Sequence, residues 1–489
     1  MKRRILSIVS VLIIAGASVS HASDVGVPSE CEDVMLQAFY WNSYDPYMST
    51  TKYGCTKWTY LISDTAAINA NFDLVWFPPS AKSKGGVGYY HTQLSNQTSD
   101  WGKKDNLVKL ITALHKGNTK VLGDIVINHR GDVGGWTTFS KDIFGEGYGT
   151  FELTQEHICA GDEAFWDSSS PAYQSTTHGG NDTGTNDGGC RDMDHANEYV
   201  QSWAKAYVRW MREKMQYDGF RYDMTRGYAG KYLRMYNEEA QPYLSVSEFW
   251  TGVDEIVTHL QSTDYNTMAF DFPLKSVLGS AIGGNYGKLK KSGGSTLRSK
   301  GLEKYAVTFI DNHDTFERPE EDACNQEFAG CNANLNSAEI KNKILQANAY
   351  ILMMPGVPCV FWPHWYKYKE EINELIALRK KAGIHSESSV SAESGNSSSK
   401  YYYGTIQGHK ASVILRLGPK RSKEVPEGYS LALEGGDRGD YTIFISDRQE
   451  GLKSVTEELS TKGEKFLRDG KLFIRVDGKV YDVTGKPVK

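Results

Sequence analysis

Residues 219–223 read Gly-Phe-Arg-Tyr-Asp, a short apolar strand that ends by presenting Arg221 and, two residues on, Asp223. Residues i and i+2 of a strand face one side, so a guanidinium and a carboxylate leave its C-terminal end together. Three other strand-like segments end in the same way. Segment 121–127 runs into Asn128-His129-Arg130, 243–247 into Glu248-Phe249-Trp250, and 306–310 into Asp311-Asn312-His313-Asp314. Parallel strands closed into a barrel present all such ends on one face, which is where a barrel of this kind builds its site.

The count of strands supports closure. Candidate strands cover 34–40, 72–77, 121–127, 220–223, 244–248, 267–272, 306–310 and 357–361. Helical periodicity separates them, as at 107–115, 200–215 and 340–352. Strands alternating with helices predict parallel βα units, and eight units predict a (β/α)8 TIM barrel. Roughly 90 residues separate the third strand from the fourth, too many for a structureless loop in a compact domain. The Gly-, Ser-, Thr- and Asp-rich stretch 130–197 is therefore expected to be an inserted domain. Beyond it, 386–400 reads as a Ser-rich linker, followed by strand-like runs at 401–406, 411–416, 429–433 and 441–446 that predict a small antiparallel β-domain. Residues 470–488 read as a β-hairpin around an Asp-Gly turn. They form either an edge of that domain or a sorting element of an exported protein. The expected partition is 1–22, 23–129 (barrel), 130–197 (insertion), 198–385 (barrel) and 386–489 (β-domain).

Residues 1–22 combine Lys2, Arg3 and Arg4 with an apolar run and a Ser-His-Ala end, which reads as a secretory signal peptide. A signal anchor is the alternative. No later segment is apolar for the ~18 residues that a membrane span needs, so the expected location is secreted, periplasmic or cell-surface. Export permits disulfides. The sequential pairs Cys31/Cys55, Cys159/Cys190 and Cys324/Cys331 lie in loop-like sequence and are expected to bond, leaving Cys359 in an apolar strand as a free thiol. A net charge of −5 carries no polyanion-binding signature, so nucleic acid is not an expected partner. A monomer is expected.

The strand-end segments also carry a resemblance. DIVINH (124–129), GFRYD (219–223), SEFW (247–250) and FIDNHD (309–314) resemble the four signature regions of the α-amylase family, glycoside hydrolase family 13, in order and spacing. The resemblance runs from about 34 to 365, and in detail is similar to plant-type and maltotetraose-forming members. It implies a starch-like substrate, domain B at the insertion and domain C at the C-terminus. Glycosidic cleavage needs two carboxyl groups across the scissile bond. The resemblance maps the nucleophile onto Asp223, the acid/base onto Glu248 and a third carboxylate onto Asp314. Arg221 is expected to keep Asp223 ionised. His129 and His313 map to donors for sugar hydroxyls, and Tyr89 after Gly88 to a stacking platform, with Tyr90 as its competitor. Trp250 lines the cleft or packs.

Hard oxygen donors suit Ca2+. The resemblance implies a calcium site made of Asn128, Asp182, the carbonyl of Thr185, Asp192 and the carbonyl of Gly227, with Asp162 and Asp187 as substitutes. The activity it implies is endo-acting, retaining hydrolysis of α-1,4-glucans. The alternatives are an exo-acting malto-oligosaccharide-forming enzyme and a non-catalytic glucan-binding protein.

Overall fold

Eight strands close into a parallel barrel: β1 (Met35–Gln37), β2 (Leu74–Trp76), β3 (Lys120–Ile125), β4 (Gly219–Tyr222), β5 (Ser245–Ser247), β6 (Met268–Phe270), β7 (Ala306–Phe309) and β8 (Val357–Phe361). Each pairs with its sequence neighbours, and β1 closes the ring against β8, with Met35 opposite Cys359. Apart from Lys120 at the start of β3, every residue of these strands is buried. This is what strands covered on both faces require, and why they read as apolar runs without alternation. The computed structural model describes residues 25–47, 53–85, 87–186, 188–316, 343–436, 440–447, 464–468, 471–476, 479–482 and 487–488. The signal segment 1–22 and the pair Cys324/Cys331 lie outside the described residues.

Helices α1 (Trp58–Asn71), α2 (Lys104–Lys116), α3 (Glu198–Glu213), α4 (Gly230–Ala240), α5 (Val253–Ser262), α6 (Phe272–Ile282), α7 (Ile344–Met353) and α8 (Lys369–Ala382) follow the strands in turn. Helix α2 buries Leu107, Leu110, Ile111 and Leu114, a stripe at 3.6-residue spacing. Each such leucine contributes about 1.5–3 kcal/mol by leaving water. Helix α3 begins where the Asn197 side chain accepts the Tyr199 amide, a cap that satisfies one of the orphan amides of the first turn.

The insertion between β3 and α3 is small and irregular. His129–Arg130 pairs antiparallel with Arg191–Asp192, and Asp142–Gly145 with Gly149–Phe151. The expected disulfides are not what holds it. Cys31, Cys55, Cys159 and Cys190 are buried free thiols, as is Cys359. Register explains the insertion pair: the Cys159 amide bonds to the carbonyl of Asp192, so Cys159 sits opposite Asp192 rather than Cys190. Cys31 lies among Asp33, Tyr243 and Arg379 before β1, and Cys55 lies near Asp45 and Lys57 beyond it, so the strand separates them. Buried ion pairs clip the insertion instead. Arg130 meets Asp142 at 2.7 Å, and Arg191 meets Asp162 at 2.9 Å. Breaking such a buried pair by removing one partner costs about 3–5 kcal/mol.

Past α8, strands β9 (Val390–Asn396), β10 (Tyr401–Gln407), β11 (Ser412–Leu417), β12 (Tyr429–Gly435) and β13 (Tyr441–Ser446) form one antiparallel sheet in the order β9-β10-β11-β13-β12. The expected linker is thus largely the edge strand β9. Its exposed, polar positions conceal the period-2 pattern that marks β10. An ion pair of 2.7 Å between Arg298 and Glu393 ties β9 to the barrel. Strands β14 (Glu464–Arg468), β15 (Lys471–Val476), β16 (Lys479–Asp482) and β17 (Pro487–Val488) make a separate antiparallel sheet. The expected hairpin is β15–β16, and it pairs within this sheet rather than extending the edge of the β9–β13 sheet.

Candidate active site

The C-terminal ends of β3, β4 and β5 converge on one guanidinium. Arg221, only 1% exposed, leaves β4 and contacts three carboxylates: Asp124 at 2.7 Å, Asp223 at 2.7 Å and Glu248 at 2.8 Å. The period-2 geometry of β4 sets Arg221 and Asp223 on one side, and parallel register brings Asp124 opposite Arg221. The sequence reading did not single out Asp124. Its second oxygen accepts from the Trp76 indole at 3.1 Å and the Tyr89 hydroxyl at 3.0 Å. Its only prior signal was its place at the start of DIVINH.

Asp223 spends one oxygen on Arg221, and its Oδ2 is buried with no hydrogen-bond partner. Arg221 does not act on Asp223 alone. Burial pushes its carboxyl up, Arg221 pulls it down, and Glu248, Asp124 and Asp314 push it up again, so the net direction is well above the usual carboxylate range. Asp124, under the same burial, is pushed up to about 6. Glu248 is fixed by its Oε2, which also accepts the Met224 amide at 2.9 Å. Met224 holds that amide in place from a left-handed conformation, φ 43°, directly after Asp223. Backbone strain of this kind collects at functional sites.

His313 lies between Tyr89 and Trp41. Its ring is parallel to Tyr89 within 6° at 5.3 Å and to Trp41 within 4° at 6.2 Å. The Gln37 amide donates to its Nδ1 at 3.0 Å, so Nε2 carries the proton. That proton faces the Tyr89 hydroxyl at 2.8 Å and Asp314 Oδ2 at 3.1 Å. Gln37 and Trp41 are further site residues, and no sequence pattern marks either of them. Of the two tyrosines, Tyr89 stands in this cluster, while Tyr90 is half exposed near Gly189. Gly88 permits this placement: at φ 111°, an added Cβ would lie 2.7 Å from the Pro79 carbonyl. His129 donates from Nε2 to the Tyr89 carbonyl at 3.0 Å, so its proton is already engaged. Trp250 stacks on Phe272 at 4.7 Å, with its remaining surface half open.

The expected metal ligands also come together. Asn128 donates its amide to His129 Nδ1 at 3.4 Å, which leaves its Oδ1 buried without a partner. That oxygen faces Gly227 so closely that an added Cβ there would lie 1.8 Å from it. Both carboxylate oxygens of Asp192 are likewise buried and unpartnered. Ligand atoms of Asp182, Asp192 and Cys159 lie within 4.8 Å of one another, and the Thr185 amide bonds to the carbonyl of Arg226 at 2.9 Å, beside Gly227. Burial and Asp182 push the Asp192 carboxyl up to about 9. Orphaned hard oxygens around a destabilised carboxylate fit a divalent cation such as Ca2+. Asp162 does not belong to this donor set. Its oxygens are taken by Arg191, the Ala164 amide and the Asp192 amide.

Comparisons with known proteins agree with this architecture. The chain is 28% identical over 435 residues to "Probable alpha-amylase 2" of Arabidopsis thaliana, covering 84% of this chain and 95% of that protein. It is 27% identical to the "Glucan 1,4-alpha-maltotetraohydrolase" of Stutzerimonas stutzeri, covering 79% and 68% respectively. The crystal structure of an Anoxybacillus alpha-amylase superposes with a TM-score of 0.59 at 14% identity, covering 86% of this chain and 99% of that one, which speaks to the fold. Residues 68–370 match the family described as "Alpha amylase, catalytic domain". With that match spanning most of the barrel, the chain belongs to the alpha-amylase family of glycoside hydrolases.

Proposed function

We propose that this chain hydrolyses internal α-1,4-glucosidic bonds of starch-like glucans by a retaining double displacement. The observation that carries the reading is the convergence of Asp223 and Glu248 on one guanidinium, with Asp314 across the His313–Tyr89 pair. In the first step, Asp223 Oδ2 attacks the anomeric carbon while Glu248 gives its proton to the leaving glycosidic oxygen. In the second, Glu248 takes a proton from water, which attacks the same carbon and releases Asp223. Arg221 orients both carboxyl groups. Asp314 and His313 hold hydroxyls of the ring being cleaved, Tyr89 offers its face to that ring, and His129 fixes Tyr89 through its carbonyl. Endo action is the reading adopted. The maltotetraohydrolase relatives favour exo action as the second, and the spectrum of products from amylose separates them. Short oligosaccharides of mixed length support the first, and one fixed length supports the second.

Retention itself has a direct readout. Proton NMR of fresh product is expected to show the α-anomer first, followed by mutarotation. A β-anomer burst would remove Asp223 as a nucleophile.

Calcium is the proposed metal, held by Asn128, Asp182, Asp192 and the carbonyls of Thr185 and Gly227. Bound there, it would supply positive charge to buried oxygens and tie the insertion to the loop after β4. Because it binds only the folded chain, it should stabilise by mass action. Chelation is expected to lower the melting temperature and added Ca2+ to restore it. A melting temperature unmoved by exhaustive chelation would exclude the site. Export before action is part of the same reading, since residues 1–22 have the pattern of a cleaved leader. Among the described residues, no helix is long and apolar enough to cross a membrane.

A further inference from the structure

Behind the turn that carries His313 and Asp314 lies a buried group that the proposed chemistry does not use. Lys275 comes from the first turn of α6, Asp311 follows β7, and His364 lies in the short helix Trp362–Lys367 after β8. Their side chains are only 2–5% exposed. Lys275 Nζ donates to Asp311 Oδ1 at 2.6 Å and to the Ile310 carbonyl at 2.9 Å. The Thr315 hydroxyl donates to the same Asp311 oxygen at 3.3 Å. His364 Nε2 stands 3.2 Å from Asp311 Oδ2, close but not aligned as a hydrogen bond, so Lys275 is the firmer anchor.

Stability alone does not account for this group. Taking two charges out of water costs several kcal/mol per ion, and apolar side chains of the same volume often serve the fold as well or better. Burial pushes the Asp311 carboxyl up, and Lys275, then His364, brings it below the ordinary carboxylate range. The carboxylate therefore stays charged and keeps its bonds. What a buried ion pair with fixed donors adds is direction. Asp311 is tied at once to α6 and to the helix after β8, the two elements that flank its own strand.

The turn beyond Asp311 is rigid in itself. Asn312 Oδ1 accepts the amides of Asp314 at 3.0 Å and Thr315 at 2.9 Å. The Asn312 amide donates to the Thr315 hydroxyl at 3.1 Å, and the Phe316 amide to the Asn312 carbonyl at 3.1 Å. These bonds fix the shape of the turn and not its angle to the barrel. Gln37 holds the His313 ring independently, from β1. Asp314 rides on the turn, with its carboxylate partly exposed where a ligand can reach it. A pivot at Asp311 would therefore carry Asp314 away from its place while the turn kept its form.

We propose that Lys275 and Asp311 are positioning residues that set the angle of this turn, so that Asp314 meets the hydroxyls of the sugar ring being cleaved, with His364 supporting them from the β8 side. The inference rests on the glucan hydrolysis proposed for this site. The test is a double-mutant cycle in the full protein, with Asp314→Ala as the second change. Lys275→Met keeps most of the stem and removes the charge, and Asp311→Asn keeps the volume and serves if Lys275→Met folds poorly. Alone, each should lower kcat/KM on maltohexaose about 10²-fold, the usual result of a misplacement near 1 Å. Added to Asp314→Ala, each should change it by no more than about twofold, because nothing remains to be placed. Maltohexaose binding is followed by calorimetry in the Glu248→Gln background, where little is turned over. There too Asp311→Asn should weaken binding only while Asp314 is present. A parent that does not hydrolyse starch would defeat the proposed activity, and the binding cycle would still judge this inference. Equal losses with and without Asp314 would overturn it. So would a fall in melting temperature with kcat/KM and binding unchanged.

Discussion

Glu248→Gln is expected to lower kcat by about 10²–10⁴-fold, the usual loss on removing a general acid, while KM changes little. The glutamine keeps the length of the side chain and an oxygen that can accept the Met224 amide, so the site keeps its shape. What it loses is the proton for the leaving oxygen. That fold-change corresponds to about 2.7–5.5 kcal/mol of transition-state stabilisation. A fall in kcat without a rise in KM is the pattern of an interaction made only in the transition state. The variant should also fold well. It removes one of three carboxylates crowded on Arg221, so repulsion with Asp124 and Asp223 falls. Activity within tenfold of the parent would end the assignment of Glu248 as the acid.

The acids of this site were legible because strand geometry is local. Arg221 and Asp223 share a side by period alone, and Glu248 and Asp314 follow apolar runs that only a buried parallel strand explains. Helices α2 and α3 were legible through their apolar stripes. The parts that were not legible depend on what is opposite in space. Asp124 matters because barrel register sets it beside Arg221. Gln37 matters because β1 passes beneath His313. The cysteines misled because sequential pairs in loop-like sequence suggested local bonding, whereas the fold buries each described cysteine among unrelated neighbours and gives the clipping to Arg130 and Arg191. Strand β9 escaped notice because an edge strand with polar residues on both faces has no burial pattern to read.

Arg221→Met is expected to do more damage than the loss of one contact. It leaves Asp124, Asp223 and Glu248 without their shared cation at the barrel end. Removing one partner from a buried charge network costs about 3–5 kcal/mol, so the melting temperature should fall. Its pH dependence identifies the cause. In the parent, burial and neighbouring acids already push Asp223 upward, and Arg221 is what opposes them. Without the guanidinium, Asp223 and Asp124 rise further above their unfolded values. A carboxyl raised on folding binds its proton more tightly in the folded state, so stability falls as pH rises through the interval between the unfolded and folded values. The deficit of the variant should therefore be largest at neutral and alkaline pH and shrink on acidification. Activity should move in the complementary sense. Asp223 must be ionised to attack, and a less stabilised carboxylate protonates more readily, so the acidic limb of kcat/KM should shift to higher pH as the maximal rate falls. A residue that only packed the barrel end would lower the melting temperature equally at all pH values and leave that limb where the parent has it. An unshifted acidic limb would show that Arg221 does not govern the charge of Asp223.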